Sequence, residues 1–184
     1  VVRSKASILE ACAELIEEEG FAGVSIEAVA ARSGAAKTTI YRHWPSRDAL
    51  LIDAFGVCAD APQTAPDTGS LHGDLVMLLW GLARSLADEG WCSALRSLVD
   101  AASRDPELAR LHAAFVTERR RPLTDVLERA VARGLLPSGI DIDRAVSILV
   151  GPLFYRAMVS REPLDDAFVR AVVDGALPAL GAAG

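Results

Sequence analysis

The sequence predicts an all-α protein in two parts, and three observations carry that expectation. Apolar residues recur at three- and four-residue spacing along most of the chain, with no convincing strand between them. Helix start and stop signals punctuate this pattern at short intervals. Residues 61–70, APQTAPDTGS, interrupt it, since two prolines and a glycine without a large apolar group mark a linker. A chain of 184 residues at 51% hydrophobic composition can bury a small domain (1–60) and a larger one (61–184).

The first helix presents Ile8, Cys12, Leu15 and Ile16 on one face and ends at Gly20, with Phe21 folding back as a C-terminal apolar contact. Ser25 is placed to cap a second helix, in which Ile26, Val29 and Ala30 share a face. Gly34 stops it, because glycine takes the left-handed conformation of a helix end without a Cβ clash. After Ala35 and Ala36 a third helix runs from about Lys37 to Trp44, with Ile40 and Trp44 inward, Thr38, Thr39, Arg42 and His43 outward, and Tyr41 at the boundary. Pro45 ends it. Ser46 caps a fourth helix, whose inner face is Leu50, Leu51, Ala54, Phe55 and Cys58. The second and third helices around their short turn form a helix-turn-helix, whose second helix can lie in the major groove of DNA.

Charge supports that reading. The chain has a formal net charge of -6, yet residues 28–47 hold Arg32, Lys37, Arg42 and Arg47 and no acid. An acidic protein with one acid-free basic window, carrying hydroxyls and a tyrosine, is suited to approach phosphates at that place.

Beyond the linker, Leu71, Leu75, Leu78, Leu79, Leu82 and Leu86 repeat at helical spacing, and a shorter helix carries Leu95, Leu98, Val99 and Ala102. Asp105 followed by Pro106 is a strong start signal for a helix reaching Gly134, with a kink or break expected near Arg121 because of Pro122. Arg119, Arg120 and Arg121, flanked by Glu118 and Asp125, read as a solvated, salt-bridged face. Asp141 caps a helix running through Ile148, Leu149, Leu153 and Met158, with a kink expected at Gly151-Pro152. Asp165 caps the last helix, where Phe168, Val169, Val172, Val173, Ala176, Leu177 and Leu180 form a stripe too wide for one neighbour. Such a stripe is either deeply buried or shared with another subunit.

Several function classes find no support. Cys12, Cys58 and Cys92 have no metal-ligand spacing and leave one cysteine over, which suggests a reducing cytoplasm. No apolar run reaches the length of a membrane span, and no signal peptide is visible. His43, His72 and His112 lie far apart without carboxylates at ligand spacing, and no nucleophile or phosphate-loop motif occurs, so an enzyme is not expected and neither is a cofactor or metal.

The stretch from Ala6 to about Phe55, and above all TIYRHWPSRDAL, closely resembles the DNA-binding domain of TetR-family transcriptional regulators. The resemblance implies that Lys37 opens the recognition helix facing a phosphate or a guanine edge, and that Thr38 and Thr39 reach bases or phosphates. It also implies a backbone clamp of Tyr41, Arg42 and His43, with Ser25 and Arg47 holding phosphates. Ala36 departs from the serine many relatives carry, and Thr38 replaces a frequent glycine. Arg3 and Lys5 would be the remnant of a basic leading segment that touches DNA in this family.

For the C-terminal part, the resemblance implies a homodimer through a four-helix bundle of the last two helices of each chain. The interface would use Ile148, Leu149, Phe168, Val169, Val172, Val173, Ala176 and Leu177. Two-fold symmetry would set the recognition helices roughly 34 to 36 Å apart on a palindromic double-stranded DNA operator. The family's mode of action implies a repressor released by a small-molecule effector, whose pocket is expected among Trp80, Trp91, His112, Phe115, Phe154 and Tyr155. The alternative is a helical binding or scaffold protein that keeps the shape but has lost DNA binding.

Overall fold

The computed structural model describes residues 5–58 and 64–182, with backbone alone at 57 and 58. Arg3 and residues 61–63 of the linker lie outside the described residues, as does the side chain of Cys58. The described chain is helical: α1 (Lys5–Gly23), α2 (Ile26–Ser33), α3 (Lys37–His43), α4 (Arg47–Cys58), α5 (Leu71–Ala87), α6 (Glu89–Ala102), α7 (Pro106–Ala132), α8 (Ile142–Tyr155), a π turn (Arg156–Ser160) and α9 (Asp166–Ala179). Compactness groups residues 1–61 with 89–117, and residues 62–88 with 118–184, so that α6 and the start of α7 go with the four N-terminal helices.

In the first unit α1 packs on α2, α4 and α6. Its helical conformation breaks at Gly20, whose φ of 70° is left-handed, and Phe21 turns inward to full burial. The Phe21 amide, released from the helix ladder by that break, donates to Ser97 Oγ of α6 at 2.8 Å. A Cβ on Gly20 would stand only 2.8 Å from the same oxygen. The core beneath this joint is aromatic: Phe21 meets Phe55 edge-on at 5.8 Å. Phe55 also stacks on Trp91 at 5.6 Å and tilts against Phe115 at 5.3 Å. Ile8, Cys12, Leu15 and Ile16 are buried together with Leu50, Leu51 and Ala54, as the helical spacing predicts.

In the second unit α5 packs on α8 and α9, and α8 on α9. Asp141 and Asp165 cap α8 and α9, accepting from Arg144 N at 3.0 Å and Phe168 N at 2.8 Å. Asp74 on α5 is only 2% exposed. A carboxylate so buried must be matched by donors, and it accepts from Thr68 N at 2.8 Å, Thr68 Oγ1 at 2.7 Å and Arg129 Nη2 of α7 at 3.2 Å. Arg129 also donates to the Pro66 carbonyl, and Arg133 forks onto Asp67 with two bonds of 2.9 Å. The Arg133 guanidinium holds the Asp67 carboxyl below its usual range. End-of-linker residues 66–70 are therefore strapped to α5 and α7.

One expectation about proline needs correction, since Pro122 does not break its helix. α7 runs unbroken from Pro106 to Ala132 with Pro122 inside it, and α8 likewise continues through Gly151-Pro152. Proline removes one ladder donor but leaves the remaining hydrogen bonds of the helix in place. The irregularity falls later: the ladder shifts to the π turn at Arg156–Ser160, which closes on Arg161 in the left-handed region at φ 55°. Met158, expected on the helix itself, lies half-buried in that turn. The arginine run is salt-bridged as expected, with Arg121 3.7 Å from Glu118 and Arg120 2.9 Å from Asp143 of α8.

Candidate nucleic-acid interface

The helix-turn-helix is built by local chemistry. Ser25, in extended conformation, accepts from Ala28 N at 3.1 Å and starts α2. Gly34 closes α2 at φ 67° and ψ 17°. Ser33, buried at the turn, bonds back to Val29 O at 2.7 Å and accepts from Ala35 N at 3.3 Å. The turn is thereby fixed without solvent. α3 has no side-chain cap, because its N-cap is Ala36. Ile40 is fully buried and Trp44 is 3% exposed. The Trp44 indole donates to Asp53 Oδ2 at 2.8 Å, tying the end of α3 to α4.

With Ile40 and Trp44 pinned inward, helical geometry turns the remaining side chains of α3 outward. Lys37, Thr38, Tyr41, Arg42 and His43 are exposed and Thr39 is half-buried; Tyr41 is 53% exposed. A tyrosine this open offers its hydroxyl and ring edge to an outside partner. His43 lies edge-on to Trp44 at 5.5 Å.

Acids from outside the basic window reach three of its four cations. Arg32 forks onto Glu18 of α1 at 2.8 and 2.7 Å, and its guanidinium holds that carboxyl below the usual range. Lys37 donates to Glu27 of α2, which lowers the Glu27 carboxyl in the same way. Arg47 lies 3.0 Å from Asp48 and donates to the carbonyls of Val24 at 2.6 Å and of Phe21. The Arg47 guanidinium thus clasps the turn between α1 and α2. Arg42 forms no ion pair among the described residues. Lys5 sits 5.3 Å over the Trp44 ring and 3.6 Å from Asp53, folded against the domain.

The effector candidates fall in two places. Trp91 and Phe115 meet around Phe55 in the first unit, where His112 is half-buried, its imidazole pushed below the ordinary 6.5 by that burial. Trp80, Phe154 and Tyr155 belong to the second unit. Trp80 and Phe154 are half-buried, while Tyr155 is 61% exposed beside Arg156, Phe168 and Glu162 in an open cleft of about 290 Å³. Of the dimer candidates, Leu149, Val169, Val173 and Ala176 are covered within the chain itself. Ile148 is 37% exposed, and Phe168, Val172 and Leu177 are only partly covered. Sequence reasoning singled out neither Glu27 nor Asp74, since a carboxylate's partner ten or fifty residues away leaves no local signal.

An outward basic and hydroxylic helix, held by a fixed turn against an aromatic core, defines a DNA-binding protein of the helix-turn-helix class. Residues 8–54 match the family described as bacterial regulatory proteins, tetR family, and residues 65–176 match the tetracyclin repressor-like C-terminal domain. The chain belongs to the TetR family of transcriptional regulators, which are DNA-binding factors and not enzymes.

It is 32% identical over 169 residues to the HTH-type transcriptional regulator YdeS of Bacillus subtilis, covering 91% of this chain and 84% of that one. It is 34% identical over 179 residues to the DNA-binding transcriptional repressor TetR of Mycobacteroides abscessus, covering 94% and 90%. Among solved structures, the TetR family transcription regulator SCO0332 superposes with a TM-score of 0.77 at 32% identity, over 95% of this chain and 96% of that one. Among the described residues, no helix is long and apolar enough to cross a membrane.

Proposed function

We propose that the protein is a repressor that binds a palindromic operator as a homodimer and is released by a small molecule. Residues 1–60 read DNA, and residues 61–184 bind the effector and the second subunit. The observation that carries this reading is the outward face of α3, where Lys37, Thr38, Tyr41, Arg42 and His43 stand in solvent while Ile40 and Trp44 anchor the helix. Lys37, Thr38 and Thr39 address base edges, and Tyr41, Arg42 and His43 hold the backbone. The Ser25 hydroxyl oxygen accepts from Ala28, leaving its proton for a phosphate. Arg47 acts chiefly by fixing the α1–α2 turn, with the part of its side chain left in solvent next to the strand.

Dimerisation through α8 and α9 is supported by the incompletely covered row Ile148, Phe168, Val172 and Leu177, which sits beside the row that closes the subunit's own core. Effector binding must favour a conformation in which the two recognition helices are poorly spaced, and DNA must weaken the effector by the same factor. The test is a band shift with a site selected from a random duplex pool, at two salt concentrations. A selected palindrome and affinity that falls steeply with salt are expected, because each neutralised phosphate releases counterion. Absence of any selected sequence would leave a scaffold that no longer reads DNA.

A further inference from the structure

The turn between α2 and α3 brings a carboxylate back into the basic face. Glu27, the second residue of α2, is separated by ten residues from Lys37, the first of α3, yet the two side chains are bonded. Both are open to solvent, with 65% of the Glu27 side chain and 52% of the Lys37 side chain exposed, and Thr38 stands exposed next to them. Core packing does not explain the pair, and although Glu27 in the first turn of α2 suits that helix's N-terminal dipole, this does not require Lys37 as its partner. A carboxylate at this place opposes phosphates and weakens every purely electrostatic complex. Its chemistry fits a base pair. In the major groove, guanine shows two acceptors, O6 and N7, and its cytosine shows one donor, the N4 amino group. A linked ammonium and carboxylate present the complementary donor and acceptor. An A·T pair fits less well, because adenine N7 lies beside its only donor and repels a carboxylate.

Building on the DNA-binding reading above, we propose that Glu27 is a specificity-determining residue that reads one G·C pair together with Lys37. Lys37 donates to guanine O6 and N7, and Glu27 accepts from the cytosine N4 amino group. In free protein the two groups satisfy each other, so Lys37 is given up only where a base pair replaces both partners. On non-specific duplex the carboxylate finds no donor and repels the strand.

The experiment selects sites from a random duplex pool with the wild type and with Glu27→Gln. It then measures both proteins on the wild-type site, on that site with the G·C pair replaced by A·T, and on a scrambled duplex. The wild type should prefer G·C by about 5- to 10-fold, the scale of one good base contact. Glu27→Gln, which keeps a neutral acceptor but also presents an amide donor and loses the charge, should narrow that preference measurably and bind the scrambled duplex more tightly. If Glu27→Gln selects the same motif with an unchanged G·C preference, this proposal is overturned while DNA binding stands. If the wild type selects no sequence, both readings fall.

Discussion

Replacing Asp74 by alanine tests the strap that fixes the end of the linker. Asp74 is buried and accepts from two donors of Thr68 and from Arg129. Removing one partner of a buried ion pair costs about 3 to 5 kcal/mol, because the other charge is left uncompensated. Arg129 keeps 26% of its side chain in solvent, keeps the Pro66 carbonyl, and has Asp67 at 4.0 Å. Screening and these remaining partners bring the expected loss to about 2 to 3 kcal/mol. Asp74→Asn preserves shape and one acceptor but not charge, so about 1 to 2 kcal/mol is expected.

Urea unfolding followed by helical circular dichroism, at fixed protein concentration, reads both numbers as a lower midpoint with an unchanged slope. In an Arg129→Met background, Asp74→Ala should cost less by about 1 to 2 kcal/mol, the coupling between the two sites. An Asp74→Ala protein within about 0.5 kcal/mol of wild type, the range of an ordinary surface substitution, would refute the reasoning. It would mean that the linker end is not held by this carboxylate.

Tyr41→Ala and Lys37→Ala should each weaken binding to a selected operator by about 1 to 3 kcal/mol, with the thermal midpoint unchanged, as their exposure requires. Unchanged affinity in both would remove them from the interface. Val172→Arg should give monomers by sedimentation velocity, since a charge would enter the proposed interface; a mutant that is still dimeric places that interface elsewhere. Stability should fall as pH drops below about 6.5, because burial depresses the His112 value and the unfolded chain then binds a proton the folded chain does not. His112→Gln should flatten that part of the pH profile in urea unfolding, and an identical profile would show that His112 does not carry it.

The elements with local causes were legible in the sequence. Ser25, Gly34, Asp141 and Asp165 each act within four residues of the backbone groups they satisfy, so their signals survive in one dimension. Spacing alone turns Ile40 and Trp44 inward, and the outward face of α3 follows from it. What was not legible is what long separation creates. The grouping of α6 with the N-terminal helices involves a hydrogen bond across 76 residues. The pairing of Arg32 with Glu18 and of Lys37 with Glu27 depends on how α1, α2 and α3 cross, so an acid-free window in sequence is not an acid-free surface. Pro122 stands inside α7 without ending it, so the local preference of one proline does not decide where that helix stops.

The contact between Gly20 and Ser97 has a mechanical corollary. The Ser97 hydroxyl seats where Gly20 lacks a Cβ and pins α6 to α1 through the Phe21 amide, and any side chain at residue 20 would crowd it out. The α1–α6 joint thus depends on residue 20 having no side chain, and a larger residue there would loosen α6 from the headpiece before it touched the reading helix.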